Sequence, residues 1–202
     1  MREFVYFSSK ARTSGNWDDL MTAGRMDIAC HVLINSFFLS HKLREDAKLH
    51  MIFYGPPDPP KHLEFQPTKF IEETGKQAGK ESIDISKKDV AGLIKKMLYK
   101  YRPGVRHEVA KGYWIEKKSL FAVLEDIRNE GKEIYILDAK GKDIRDIKFK
   151  NPVFILGDHQ GLPAKELKRL KREVIPVSVG DRTYFASQVV TIVNNELDRQ
   201  NI

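Results

Sequence analysis

Residues 152–198 read PVFILGDHQGLPAKELKRLKREVIPVSVGDRTYFASQVVTIVNNELD, and the pattern of this stretch predicts the fold. It contains two short apolar runs, 153–156 and 174–179, which are typical of buried strands. A third run of this kind lies upstream at 133–138. Each run leads into a segment with a glycine, so the three predicted strands end at glycine-bearing loops with Gly141, Gly157 and Gly180.

Two helices are predicted within the same stretch. The first, 163–170, begins with a proline in a first-turn position and ends on basic residues. The second, 184–198, carries apolar residues at the helical period along one face. Strands that alternate with helices predict an α/β fold with a parallel sheet, and the strand ends then gather at the edge where such folds bind ligands.

This edge lacks the motifs that bind phosphates. No GxGxxG follows a strand, and GxxxxGK[ST] does not occur in the sequence. The loop GDHQG, 157–161, has glycines four apart but no Lys-Ser or Lys-Thr after them. We therefore expect a ligand other than a nucleoside triphosphate or a dinucleotide.

Composition narrows the protein class. With 202 residues, 41% of them hydrophobic, we expect one domain over 1–202. The net charge of +7 favours a polyanionic partner, although a thermophile-like surface rich in lysine and glutamate would give a similar balance. A single cysteine, Cys30, together with the absence of a long apolar run and of a signal peptide, predicts a cytoplasmic protein without a disulfide framework or membrane span.

Five segments carry a family pattern: FVYFSSKA, GRMDIACHVLINSFFLSH, YGPPDPP, ILGDHQGLP and ASQVVTIVNNELD. Together they resemble SPOUT-class RNA methyltransferases, and within that class the archaeal tRNA (pseudouridine-54 N1)-methyltransferase family. The resemblance implies a SPOUT-type parallel sheet flanked by helices, with a C-terminal trefoil knot within about 132–202. It also implies S-adenosylmethionine as cofactor, tRNA as substrate and a homodimer, to which the apolar face of the last helix would contribute.

The resemblance further implies where the cofactor binds. Leu137 lies on the first knot loop, Gly157 on the second and residues 179–184 on the third, with Val189 as an apolar wall. The implied set is Leu137, Gly157, Val179, Gly180, Asp181, Arg182, Thr183, Tyr184 and Val189. Relatives often carry cysteine where this chain has Val189, and His-Ala-Asp where it has Phe-Ala-Ser at 185–187, so no histidine can act there.

Arg25 and Asp27 are the candidate catalytic residues. They stand at the start of a predicted helix, 26–40, and are expected to anchor the substrate and to act as, or position, the base for the acceptor nitrogen. The alternative is structural, because an acidic residue near a positive helix end is stabilising and a neighbouring surface cation pairs with it.

Two segments are candidate RNA contacts. Lys10 and Arg12 lie in the polar loop 8–16 and could meet phosphates, against the alternative of a plain solvated loop. Basic and aromatic residues alternate over 102–114, which suits RNA, but a partly buried strand at 113–115 with ordinary flanking charges explains them more simply.

Other chemistries find little support. No metal is expected, since Cys30-His31 is an isolated pair and the remaining histidines fit no zinc spacing. GxSxG, which would indicate a serine hydrolase, is absent. Two alternatives to a tRNA enzyme stay open: a methyltransferase that acts on ribosomal RNA, and a protein of the same fold that binds RNA without transferring methyl groups.

Overall fold

A mixed sheet of eight strands forms the centre of the protein. The computed structural model describes residues 1–40, 42–67 and 87–202. The strands are β1 (Arg2–Ser8), β2 (Ala47–Phe53), β3 (Lys61–Phe65), β4 (His107–Ala110), β5 (Tyr113–Glu116), β6 (Glu133–Asp143), β7 (Pro152–Gly157) and β8 (Ile175–Ser178).

Five of these strands are parallel. β1 pairs with β2 on one side and with β7 on the other, and β6 lies between β7 and β8. The order β2-β1-β7-β6-β8 therefore makes up one part of the sheet, and β3, β5 and β4 extend it in antiparallel fashion. The predicted α/β fold with a mostly parallel sheet is confirmed.

Helices cover both faces of this sheet, which is why the parallel strands read as continuous apolar runs. β1, for example, is buried along its whole length. The helices are α1 (Met26–Phe37), α2 (Lys87–Tyr99), α3 (Leu120–Asn129), α4 (Ala164–Leu170) and α5 (Ala186–Arg199). α1, α2 and α5 pack on one face of the sheet, and α3 and α4 pack on the other.

The predicted loop at Gly141 is wrong. β6 continues to Asp143, and both Leu137 and Lys142 pair with Val177 of β8 across a register shift. A Cβ on Gly141 would lie 2.4 Å from the backbone nitrogen of Val177. Glycine is needed here because two backbones approach closely, not because the chain turns away from the sheet.

The last helix does not leave an apolar seam open. Val190, Val193 and Leu197 of α5 are fully buried in the core that α5 shares with α1. The apolar face that contributed to the expected homodimer is therefore packed within the chain.

The other predicted elements are present with shifted ends. α1 ends at Phe37 and not at residue 40, because Phe38 is extended and bridges to Leu43. The strand predicted at 113–115 is β5, and its partner β4 was missed. Among the described residues, no helix has the length and apolar character to cross a membrane.

Candidate active site

A cavity of about 180 Å³ lies where β6 shifts register after Leu137 and at the carboxyl end of β8. Leu137 and the end of β8 lie side by side because the two strands are adjacent and parallel. Seven of the nine predicted cofactor residues line the cavity: Leu137, Val179, Gly180, Arg182, Thr183, Tyr184 and Val189. The structure thus brings most of the predicted set together, and cofactor contact by these residues stays a prediction.

The walls of this cavity combine apolar side chains with accessible backbone. Leu137, Val179 and Val189 supply apolar surface. Gly180 has φ +124°, a conformation that side chains with a Cβ rarely adopt, and its N–H donates to Ser178 Oγ at 3.1 Å. Apolar walls with a few oriented polar groups are typical of small-molecule sites.

Asp138 also lines the cavity, and the sequence analysis missed it. Its carboxylate forms an ion pair with Lys171 and accepts a hydrogen bond from the Lys140 N–H at 2.9 Å. Hydrogen bonding to Lys171 lowers the pKa of Asp138, so the carboxylate is ionised at neutral pH. The available signal was its place as the last residue of the apolar run 133–138.

Two predicted cofactor residues are not among those lining the cavity. Gly157 ends β7, and a Cβ there would lie 2.5 Å from the backbone carbon of Gly161. Asp181 is exposed. Gly157 is thus required by the close turn that follows β7, and the structure does not place it against the cavity.

Arg25 and Asp27 form a bidentate ion pair at the start of α1. Arg25 Nε and Nη2 donate to the two oxygens of Asp27, each at 3.0 Å. Arg25 adopts the left-handed conformation, with φ 64°, and its side chain makes no capping hydrogen bond. Asp27 is buried, and hydrogen bonding to Arg25 lowers the pKa of its carboxyl group.

A second polar group, missed by the sequence analysis, lies at the carboxyl ends of β1 and β7. Ser8 Oγ donates to the buried carboxylate of Asp158 at 2.7 Å. The hydroxyl of Tyr6 is buried without a hydrogen-bond partner, and burial, followed by the charge of Asp158, raises its pKa. Asp27 and Arg25 also act on Tyr6 electrostatically, so these side chains share one neighbourhood.

This polar group and the cavity occupy the same edge of the sheet. β7 separates β1 from β6, so the group at β1 and β7 adjoins the strands that form the cavity. The usable sequence signal was position: Ser8 ends β1 and Asp158 directly follows β7.

Of the two interpretations of the loop 8–16, the plain solvated loop is wrong, and contact with phosphates stays a prediction. Ala11 and Thr13 are buried, and Thr13 Oγ1 donates to the Gly55 carbonyl at 2.9 Å. The loop also bonds to the segment before α1, where the Arg12 N–H donates to the Ala23 carbonyl at 3.1 Å. Arg12 Nε is buried without a hydrogen-bond partner, while Lys10 is exposed.

The basic and aromatic segment 102–114 is largely structural. The guanidinium of Arg106 lies 5.0 Å from the ring centroid of Trp114 and donates to Glu64 at 2.9 Å. Tyr113 packs edge-on against Phe65. The partly buried strand predicted at 113–115 is confirmed, and RNA contact by the flanking basic residues stays a prediction.

Comparison with known proteins gives matches over the full chain. Residues 1–202 match the family described as "Putative SAM-dependent RNA methyltransferase", in which SAM is S-adenosylmethionine. The chain is 35% identical to the tRNA (pseudouridine(54)-N(1))-methyltransferase of Methanococcus aeolicus, over 100% of both chains. It is 33% identical to the protein of that name from Methanococcoides burtonii, over 98% of this chain and 96% of the relative.

The chain belongs to the tRNA (pseudouridine(54)-N(1))-methyltransferase family. Membership rests on identity above 30% across the whole length of both partners. The resemblance seen in the five sequence segments is thereby confirmed.

A solved structure supports the fold of this family member. Archaeoglobus fulgidus Nep1, bound to S-adenosylhomocysteine, superposes with a TM-score of 0.55 at 16% identity, over 98% of this chain and 97% of that chain. At this identity the likeness concerns the fold alone.

Proposed function

We propose that the protein transfers a methyl group from S-adenosylmethionine to N1 of pseudouridine 54 in tRNA. The observation that carries the proposal is full-length membership in the family of that activity. The cavity beside β6 and β8 binds the cofactor, and Arg25 and Asp27 at the start of α1 position the RNA.

The residues of the cavity fit the cofactor. Leu137, Val179 and Val189 offer apolar walls for an adenine ring, and a ligand can approach the half-buried backbone at Gly180 closely because no side chain stands there. The ionised carboxylate of Asp138 suits ribose hydroxyls. A volume of about 180 Å³ is below the roughly 300–1,000 Å³ typical of drug-sized ligands, so part of the cofactor extends beyond the cavity.

When bound, S-adenosylmethionine supplies an activated methyl group, and the protein has to align the acceptor with it. Arg25 and Asp27 do this from the start of α1. Because both oxygens of Asp27 accept hydrogen bonds from Arg25, the carboxylate fixes the guanidinium. Arg25, whose side chain is 36% exposed, then anchors the RNA near the acceptor nitrogen.

The lowered pKa of Asp27 argues for positioning over proton uptake. A carboxylate stabilised by Arg25 is a weaker base than a free one, whereas an efficient general base has a pKa near the working pH. The structural alternative also has support, because Asp27 does lie in the first turn of α1.

Basic residues near the N-terminus bind the phosphates of the RNA. Lys10 is exposed, and Arg12 and Arg25 are partly exposed. Contacts between such cations and phosphates give salt-dependent affinity.

The proposal also includes a trefoil knot, a single domain and a homodimer. The C-terminal segment, about 132–202, ties a trefoil knot around the cavity strands, and one domain spans 1–202. The protein works in the cytoplasm as a homodimer. Phe185 at the start of α5, which is 75% accessible, provides apolar surface for a second copy. Sedimentation at micromolar concentration that gives only a 23.3 kDa species would contradict the dimer.

Transfer of labelled methyl groups tests the activity. The protein is incubated with S-adenosylmethionine and three RNAs: tRNA with pseudouridine at position 54, the same tRNA with uridine there, and a ribosomal RNA transcript. We expect label in the first RNA alone. Label in the ribosomal transcript alone would favour that alternative, and cofactor or RNA binding with no transfer to any RNA would favour a non-catalytic protein.

A further inference from the structure

A buried cluster of histidine and glutamate lies away from the candidate active site, between the antiparallel part of the sheet and α3. His50 is on β2, and His62 and Glu64 are on β3. In the antiparallel register His50 stands opposite Glu64, and His62 is two residues from Glu64 on the same strand, so all three side chains share one face. Each is at most 6% exposed.

The two imidazole rings face each other through one nitrogen each. His50 Nδ1 lies 2.9 Å from His62 Nε2, and His50 Nδ1 lies 3.9 Å from Glu64 Oε2. The far nitrogen of each ring faces a carboxylate. His62 Nδ1 is 3.0 Å from Glu116 Oε1, and His50 Nε2 is 3.5 Å from Glu3 Oε2.

The network formed by the two rings and the Glu3 carboxylate is one hydrogen-bond donor short. When His62 Nδ1–H donates to Glu116, the Nε2 of His62 is an acceptor and must receive the proton on His50 Nδ1. A neutral His50 then has no proton on Nε2, which faces the Glu3 carboxylate as a second acceptor. Both of those atoms, His50 Nε2 and Glu3 Oε2, are buried without a hydrogen-bond partner. Such orphaned atoms are uncommon in folded proteins and indicate a missing ion or proton.

We propose that His50 Nδ1, His62 Nε2 and the Glu64 carboxylate bind a divalent transition-metal cation of the Zn²⁺ type. Imidazole and carboxylate are ordinary ligands for this class of ion. With the cation between the two rings, His50 carries its proton on Nε2 and donates to Glu3, while His62 donates to Glu116. Every buried atom of the network is then satisfied, in the arrangement of carboxylate behind histidine that metal sites commonly have.

The distances fit a tetrahedral ion after small side-chain movements. Two nitrogens about 2.0–2.1 Å from a tetrahedral Zn²⁺ are about 3.3 Å apart. The observed separations are 2.9 Å between the ring nitrogens and 3.9 Å from His50 Nδ1 to Glu64 Oε2, one shorter and one longer than this value. An adjoining cavity of about 270 Å³, lined by the three ligands and also by Asp126 and Glu130, gives the ion a route from solvent and room for a fourth ligand such as water.

Neighbouring cations compete with the ion. Arg106 donates to Glu64 Oε2 at 2.9 Å, and Lys48 lies 3.4 Å from Glu64 Oε1. Lys132 pairs with Glu3. Arg106 has a side chain that is 48% exposed and can turn into solvent, so we expect the ion to displace its contact with Glu64 while the two lysines keep theirs.

Metal titration of the whole chain tests the proposal. Protein stripped with a chelator is titrated with Zn²⁺ by calorimetry and with Co²⁺ by visible absorption, which reports tetrahedral coordination. We expect one equivalent to bind. Glu116→Gln, which removes the carboxylate charge behind His62 and with it a 3.9 Å contact to Arg106, should weaken binding by about 10–100-fold, and His62→Gln should weaken it more. His31→Gln, an exposed histidine on α1, is the matched control and should bind as wild type does.

Wild-type protein alone also tests the idea, because the buried variants could fail to fold. In nitrogen NMR, Zn²⁺ should shift His50 Nδ1 and His62 Nε2 and leave His31 unchanged. The proposal is overturned if the wild type shows no saturable binding and His50 carries protons on both nitrogens. It is equally overturned if folded His62→Gln binds Zn²⁺ as tightly as the control.

Discussion

Replacing Gly141 by alanine should push β8 away from β6 and so change the shape of the cavity. The new Cβ would lie 2.4 Å from the Val177 nitrogen and 2.6 Å from the Pro176 carbonyl carbon, whereas ordinary contact begins at 3.4 Å. β8 therefore has to move by about 1 Å relative to β6. Overpacking of this kind costs about 1–3 kcal/mol. Because Val177 and Ser178 line the cavity, the same movement displaces its wall.

We expect two measurable effects. Urea unfolding followed by circular dichroism should show the free energy of unfolding lowered by about 1–3 kcal/mol. Calorimetry should show affinity for S-adenosylmethionine weakened by about tenfold, the factor that corresponds to 1.4 kcal/mol.

Gly92→Ala is the matched control for this change. Gly92 is exposed within α2, and a Cβ there meets nothing within 4 Å. Alanine should stabilise the helix by about 0.5–1 kcal/mol and leave cofactor affinity unchanged. If Gly141→Ala has the same free energy of unfolding and the same cofactor affinity as the wild type, the close approach of β6 and β8 does not shape the site.

Three further substitutions test the turn after β7, the ion pair at the start of α1 and the RNA contacts. Gly157→Ala places a Cβ 2.5 Å from the Gly161 backbone, so the free energy of unfolding should fall by about 1–3 kcal/mol; an unchanged urea midpoint would show that this turn is not tight. Asp27→Asn releases Arg25 and should lower the rate at saturating tRNA by about 10²-fold while cofactor affinity holds, and full activity at saturation would leave Asp27 with a structural role only. Arg25 holds the folded-state pKa of Asp27 below its ordinary value, so the stability that Asp27 contributes is present above pH 3.8 and is lost below it; melts of wild type and Asp27→Asn should therefore converge as the pH falls below 3.8. Arg12→Ala should raise the dissociation constant of tRNA and flatten its salt dependence with little change in the saturated rate, and an unchanged salt slope would remove Arg12 from the RNA interface.

The cavity was predictable because its parts are local in sequence. The runs 133–138 and 174–179 are apolar since parallel strands are buried on both faces, and ligand sites form where such strands end. The family resemblance added which residues follow those ends. Gly141 was misplaced because a glycine after an apolar run favours a loop, and only the pairing of β6 with β8 shows that two backbones meet there.

Features that depend on distant pairing were not predictable. Nothing in the spacing of His50 and His62 shows that β2 and β3 bring them within hydrogen-bonding distance. The polar sequence of 8–16 left two interpretations open, a plain solvated loop and a contact for phosphates, and neither predicted its burial. Its burial depends on Thr13, whose hydroxyl donates to the Gly55 carbonyl and accepts the Asp58 N–H, so the polar atoms are satisfied away from water.

Position-resolved mass spectrometry of modified tRNA shows whether the protein methylates pseudouridine 54. Transcripts that carry pseudouridine at position 54 are incubated with the protein and S-adenosylmethionine, cut with a base-specific nuclease and sequenced by mass. We expect one added methyl group on the fragment that contains position 54, with 1-methylpseudouridine among the released nucleosides. A methyl group on another nucleotide, or none after incubation with folded protein that binds the cofactor, would contradict it.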